Sequence, residues 1–145
     1  MKRHPSLLAL SREHHTALSL ANRVKKAVLS ADPLRVEEAR GEVVLRFDTE
    51  LEPHFAEEEL TLLPGLATLG EVALVARTLD EHRVLRALVR SLADPASGGE
   101  PGACLAEFGK LLAAHVRFEE RELFERAQVL QAEHGATPEV PATPA

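Results

Sequence analysis

Tryptophan and tyrosine are absent from these 145 residues, and Cys104 is the only cysteine. One thiol excludes a disulfide framework and a cysteine-based zinc site. Without tyrosine, no tyrosyl radical takes part in any metal chemistry. No apolar stretch is long enough to span a bilayer. The apolar run near the start stops at Ser11-Arg12-Glu13, too short for a secretory segment, so a cytoplasmic protein is expected. Acids and bases are interspersed at a net charge of -6. With no basic stripe to follow a phosphate backbone, neither nucleic acid nor membrane is an expected partner.

What is present is helical periodicity. Leu7, Leu10, Ala17, Ala21, Val24 and Val28 recur at three- and four-residue steps and predict a first helix over about 6–29. Asp32-Pro33 supplies an N-cap followed by proline at the first helical position, starting a second helix that should stop near Pro64-Gly65. Pro53 falls inside it and predicts a bend just before His54. A third helix is expected over about 70–92, with Val72, Val75, Leu79, Leu85, Leu88, Val89 and Leu92 on one side. A fourth is expected over about 103–133, after a Pro/Gly-rich loop at 94–102. The predicted fold is all-α, an up-down-up-down four-helix bundle over residues 1–133. The Pro-, Ala- and Thr-rich tail, 134–145, is expected to be disordered.

His54-Phe55-Ala56-Glu57-Glu58 and His115-Val116-Arg117-Phe118-Glu119 repeat one H-x-x-x-E pattern on the second and fourth helices. Four residues put both side chains on one helical face, one turn apart. Flanking positions match at the same offset: Leu51 with Leu112, Glu59 with Glu120, Leu62 with Leu123. The first and third helices echo each other through Glu13-His14 and Glu81-His82. Each helix therefore carries one histidine on its apolar stripe.

The candidate metal ligands are His14, His54, Glu58, His82, His115 and Glu119. Imidazole suits iron, zinc, copper and nickel, and carboxylates add hard oxygens that can bridge two ions. Taken singly, a histidine on an apolar face is more often a hydrogen-bonded core residue, and an i+4 His-Glu pair a local contact. Together the six favour metal, because an apolar bundle does not bury them unless something neutralises the charge. His15 lies about 100° around the first helix and is the alternative to His14. His4 and His134 are expected to be exposed. Glu57, Glu59, Glu120 and Glu122 read as a solvated rim, whereas Glu81, beside His82, could orient a ligand.

With these residues placed, the chain resembles the hemerythrin-like (HHE cation-binding) family over about residues 6–130. The resemblance rests on Arg12-Glu13-His14-His15, His54 to Pro64, Asp80-Glu81-His82 and His115 to Phe124. It implies a four-helix bundle around two iron ions, a non-haem di-iron centre with an oxo or hydroxo bridge. By this resemblance His14 and His54 bind one iron, His82 and His115 the other, and Glu58 and Glu119 bridge. Oxygen-carrying members have H-x-x-x-H on the third helix and H-x-x-x-x-D on the fourth. Here the positions four before and after His82 are Thr78 and Arg86. The four-histidine, two-glutamate set instead looks like the branch associated with nitric oxide, oxygen or peroxide chemistry, iron sensing and iron–sulfur repair. Its repair proteins usually carry an extra cysteine-bearing domain, not seen in these residues. The expected function is reaction with, or sensing of, a small diatomic or peroxide ligand at an open iron position, with an electron donor or protein partner. An iron-responsive interaction module without turnover is the alternative. Ferritin-like proteins use E-x-x-H pairs, and none occurs here.

Overall fold

A computed structural model describes residues 3–94, 96 and 100–134. Those residues form four helices in chain order: α1 (Pro5–Ser30), α2 (residues 33–68), α3 (Val72–Ala93) and α4 (residues 101–134). Among the described residues no helix is long and apolar enough to cross a membrane.

Local chemistry sets the boundaries. The His4 side chain accepts a hydrogen bond from Ser6 N–H and caps α1, with Pro5 in the first turn. His4 is thus half-buried and engaged rather than exposed. Asp32 caps α2 in the same way, through Leu34 N–H. The second helix does not stop at Pro64-Gly65. It ends where Gly70 takes φ 94°, with Glu71 N–H bonding Leu66 O and Gly70 N–H bonding Ala67 O. That pair of bonds closes a Schellman motif.

Proline fails to end α2 because the helix widens around it. Turns with i→i−5 hydrogen bonds occupy Phe47–Leu51 and Glu58–Leu62, where Glu52 N–H reaches Phe47 O and Leu63 N–H reaches Glu58 O. Each widened turn lies just before a proline, Pro53 or Pro64, which has no N–H to offer. α4 has a third such turn at Glu119–Leu123, with no proline after it. The turn opened by Glu58 and the one opened by Glu119 occupy matching places in the repeat, so proline alone does not cause them.

α4 begins at Pro101 and continues through His134, one residue into the segment expected to be tail. Residues 135–145, and most of the loop ahead of Pro101, lie outside the described residues. Val72 and Leu79, expected on the buried stripe of α3, are exposed. Thr78 is buried instead, its hydroxyl donating to Leu74 O at 2.8 Å.

Side-chain contacts show how the helices neighbour one another. Between α1 and α2, Arg23 meets Glu42 and Glu13 meets His54. Between α2 and α3, Arg40 meets Leu92 and Glu59 meets His82. Between α3 and α4, Glu71 meets Arg126 and Glu81 meets His115. Between α4 and α1, Glu120 meets His14 and Gln128 meets His4. Within each pair the partner number falls as the other rises, so neighbouring helices run antiparallel.

The core has two apolar parts. One holds Leu20, Val24, Val43, Phe55, Leu85, Leu105, Phe108 and Leu112. The other holds Leu7, Leu10, Leu62, Leu66, Leu123, Phe124 and Leu130. Along α1, His14 falls between Leu10 of the second part and Ala17 of the first. Along α4, His115 and Glu119 fall between Leu112 and Leu123. The histidine and glutamate layer is thus closed above and below by hydrocarbon.

Candidate metal centre

All six predicted residues meet in this layer. His14, His54, His82, His115, Glu58 and Glu119 are each at most 5% exposed. They form two groups, His14-His54-Glu58-Glu119 and Glu58-His82-His115-Glu119. Within each group one nitrogen or oxygen from every residue lies within 4.8 Å of those of the others. The groups share both carboxylates. His15, the alternative on α1, is exposed.

Each imidazole is held from outside through Nδ1. His14 Nδ1 meets Glu120 at 2.6 Å, and His54 meets Glu13, His82 meets Glu59 and His115 meets Glu81, each at 2.7 Å. The four contacts make a closed ring. α1 supplies a glutamate to the histidine of α2, α2 to α3, α3 to α4, and α4 back to α1. A carboxylate accepting the Nδ1 proton fixes the tautomer that leaves Nε2 free to bind.

Sequence reasoning missed most of this ring. Glu59 and Glu120 were expected on a solvated rim and Glu13 was unassigned, whereas Glu81 does orient a ligand, His115 on the next helix. The available signal was the pair of doublets, Glu-His on the lone-histidine helices and Glu-Glu at the end of each H-x-x-x-E. Glu57 and Glu122 are exposed, as expected of a rim.

Most of the ring is braced in turn. Arg86 meets both Glu52 and Glu59, Arg77 meets Glu81, and Arg3 with Ser11 meets Glu120. Phe55 stacks on His82 at 3.9 Å between centroids, and Phe124 on His14 at 5.1 Å.

Most of the inward atoms are left without partners, the exception being His14 Nε2, which meets Glu119 Oε1 at 2.8 Å. His54 Nε2, His82 Nε2, His115 Nε2, both Glu58 oxygens and Glu119 Oε2 are buried with no hydrogen bond among the described residues. Some approach closely, His54 Nε2 to Glu58 at 3.3 Å and His115 Nε2 to Glu119 at 3.2 Å, but without hydrogen-bond geometry. Unsatisfied buried polar atoms cost about 1–3 kcal/mol each, and native interiors rarely hold several together. Aimed at one another from three helices, with His14 of α1 beside them, these are the donors a cation needs. Nitrogen and carboxylate oxygen without sulfur suit iron, manganese or zinc.

The electrostatics agree. Burial pulls every imidazole toward neutrality, but the buried carboxylates outweigh it. His54 is lifted to about 11, His115 to about 10 and His82 to about 9, and His14 also rises. Burial pushes the Glu119 carboxyl up, yet His115, His14 and His54 hold it well below the usual range. The cluster attracts positive charge strongly, which protons supply when metal does not.

A cavity of about 280 Å³ leads to the layer between α1 and α2, with His14, His54 and His115 among its lining residues.

Nothing matches among curated proteins or solved structures. A family model does match, that of the hemerythrin HHE cation binding domain, over residues 7–127. That span includes all six clustered residues and the four glutamates that orient them. The chain belongs to the hemerythrin HHE cation-binding domain family.

Proposed function

We propose that this chain is a non-haem di-iron protein that reacts with or senses a small oxidant, oxygen, peroxide or nitric oxide, at an open iron position. In this reading His14 and His54 hold one ion, His82 and His115 the other, and Glu58 and Glu119 bridge them. The observation that carries it is the set of buried, unpartnered Nε2 and carboxylate atoms in two groups that share both carboxylates.

A bound iron pair would supply redox-active Lewis acidity toward a small molecule. The protein's own part is positional. The glutamate ring holds each imidazole with Nε2 inward, and the two hydrocarbon parts exclude bulk water. α3 contributes one imidazole only, His82 being its sole histidine, and Thr78 is committed to Leu74 O and Arg86 to Glu52 and Glu59. Each ion is then offered two imidazoles and two shared carboxylates, fewer ligands than octahedral coordination uses, and the cavity gives a small molecule a way in. With no tyrosine or tryptophan in the chain, electrons come from the irons or from an external donor.

A second reading, an iron-responsive sensor without turnover, is favoured by the ring itself. It joins all four helices through the candidate ligands, so metal occupancy is linked to bundle stability. Unfolding that is indifferent to iron would count against it.

The test is elemental analysis with optical spectra of an anaerobic ferrous sample before and after adding air, peroxide or nitric oxide. Two irons per chain and a new absorption band are expected. Stoichiometric zinc, no metal, or diferrous protein inert to all three molecules would refute the redox reading.

A further inference from the structure

We infer that the cavity between α1 and α2 is the route by which divalent metal ions load the cluster, with Glu50 as a steering carboxylate at its mouth. This rests on the metal-binding reading and adds to it a path and a rim residue.

The cavity changes character with depth. Its outer lining is oxygen-rich, with the Glu13 and Glu50 carboxylates and the Thr16 and Thr49 side chains, all exposed. No lysine or arginine lines it. Its walls turn apolar at Ala17, Leu112 and Val116, and it reaches His54 and His115. Those imidazoles are 5% and 1% exposed, and the Nε2 of each lacks a hydrogen-bond partner. A cation therefore meets carboxylates first and unpaired nitrogens last.

The volume suits that cargo. At about 280 Å³ and open at its mouth, the cavity has room for a cation that keeps several waters. An octahedral hydrated cation carries about six. A bare diatomic needs neither that room nor two carboxylates at the mouth.

The latch beside the mouth is also the loosest of the four. Glu59, Glu81 and Glu120 each have an arginine partner, whereas Glu13 has none among the described residues, and its side chain is 55% exposed. Swinging Glu13 outward releases His54 and breaks no other ion pair. Glu50 has only a contact at 3.8 Å to half-buried Arg46.

The test follows cobalt(II) uptake by the metal-stripped full chain, from its visible absorption in rapid mixing, and then final cobalt content. Glu50→Lys is expected to slow uptake on the order of tenfold at low ionic strength. The difference should shrink as salt screens it, with final content unchanged. Thr16→Trp, at an exposed position, is expected to slow uptake at every salt concentration by narrowing the mouth. Glu38→Lys, exposed on α2 and outside the cavity lining, serves as the control for net charge. Wild-type rates in both rim variants would overturn the route, as would equal slowing in the control. Failure of the wild-type chain to take up cobalt or iron would instead overturn the metal-binding reading itself.

Discussion

Removing the metal should make the protein's stability depend steeply on pH, and the cluster sets the sign. In the folded metal-free chain His54, His115 and His82 are lifted to about 11, 10 and 9. Unfolded, each returns to about 6.5. Groups whose folded pKa is raised stabilise fully below the unfolded value and lose that contribution as pH rises through the folded values. Between about pH 6.5 and 9 the folded state thus holds more protons than the unfolded one, and stability falls with pH. Across that range His54, His115 and His82 hold up to three protons that the unfolded chain gives up. At about 1.4 kcal/mol per proton and pH unit, that is up to roughly 4 kcal/mol lost per unit. On a total stability of about 5–15 kcal/mol, the metal-free protein should approach unfolding within a few pH units of neutrality. Urea midpoints of stripped protein at pH 6.5, 7.5 and 8.5 measure it. Metal-loaded protein serves as the comparison, since bound ions replace the protons and its slope should be shallow or opposite. A stripped protein equally stable, or more stable, at pH 8.5 than at 6.5 would refute the electrostatic account of the layer.

Exchanging the two adjacent histidines of α1 separates them. His14→Ala should lower metal content below wild type, whereas His15→Ala, at an exposed position, should leave it unchanged by elemental analysis. Glu59→Gln keeps the shape but removes the charge that orients His82. It should weaken metal affinity about 10–100-fold in competition with a chelator, with Glu57→Gln on the exposed rim unaffected. Phe55→Ala removes a side chain that is 1% exposed and stacked on His82. It should cost about 3–5 kcal/mol in urea unfolding of the metal-loaded protein. A loss under 1 kcal/mol would mean that the ring contributes little packing there.

Local chemistry was the legible part of the fold. Asp32-Pro33 marked the start of α2, and apolar spacing located four helices and six inward residues on them. Where position alone was read, the reading slipped. Val72 and Leu79 fit the α3 period but lie beyond its buried arc. Pro64-Gly65 looked like a helix end because proline lacks an N–H, yet a widened turn removes the need for that bond and Gly70 ends the helix instead. Three of the four orienting glutamates escaped for a different reason. A carboxylate next to a candidate ligand reads as solvated rim on its own helix, and its partner is an imidazole on the next one. Only the packing of α1 on α2, or of α4 on α1, gives Glu13 or Glu120 its role.

That non-local dependence bears on how the site forms. An H-x-x-x-E pair brings one imidazole and one carboxylate, but in each pair the Nδ1 that sets the imidazole's direction is held from the preceding helix in the ring. His54 depends on α1 through Glu13 and His115 on α3 through Glu81, while His14 and His82 depend on α4 and α2. No single helix, and no single H-x-x-x-E pair, is competent alone. Closing the ring and assembling the donor set are one event, so the fold and the site draw on the same contacts. Loosening any one helix then degrades the geometry at both groups, because Glu58 and Glu119 belong to both. A bundle stabilised by hydrocarbon alone gains nothing from such an arrangement, and replacing buried charged groups by apolar ones often stabilises a core. Retaining six polar groups in one layer, with a further carboxylate behind each histidine, is expected where a cation occupies the middle.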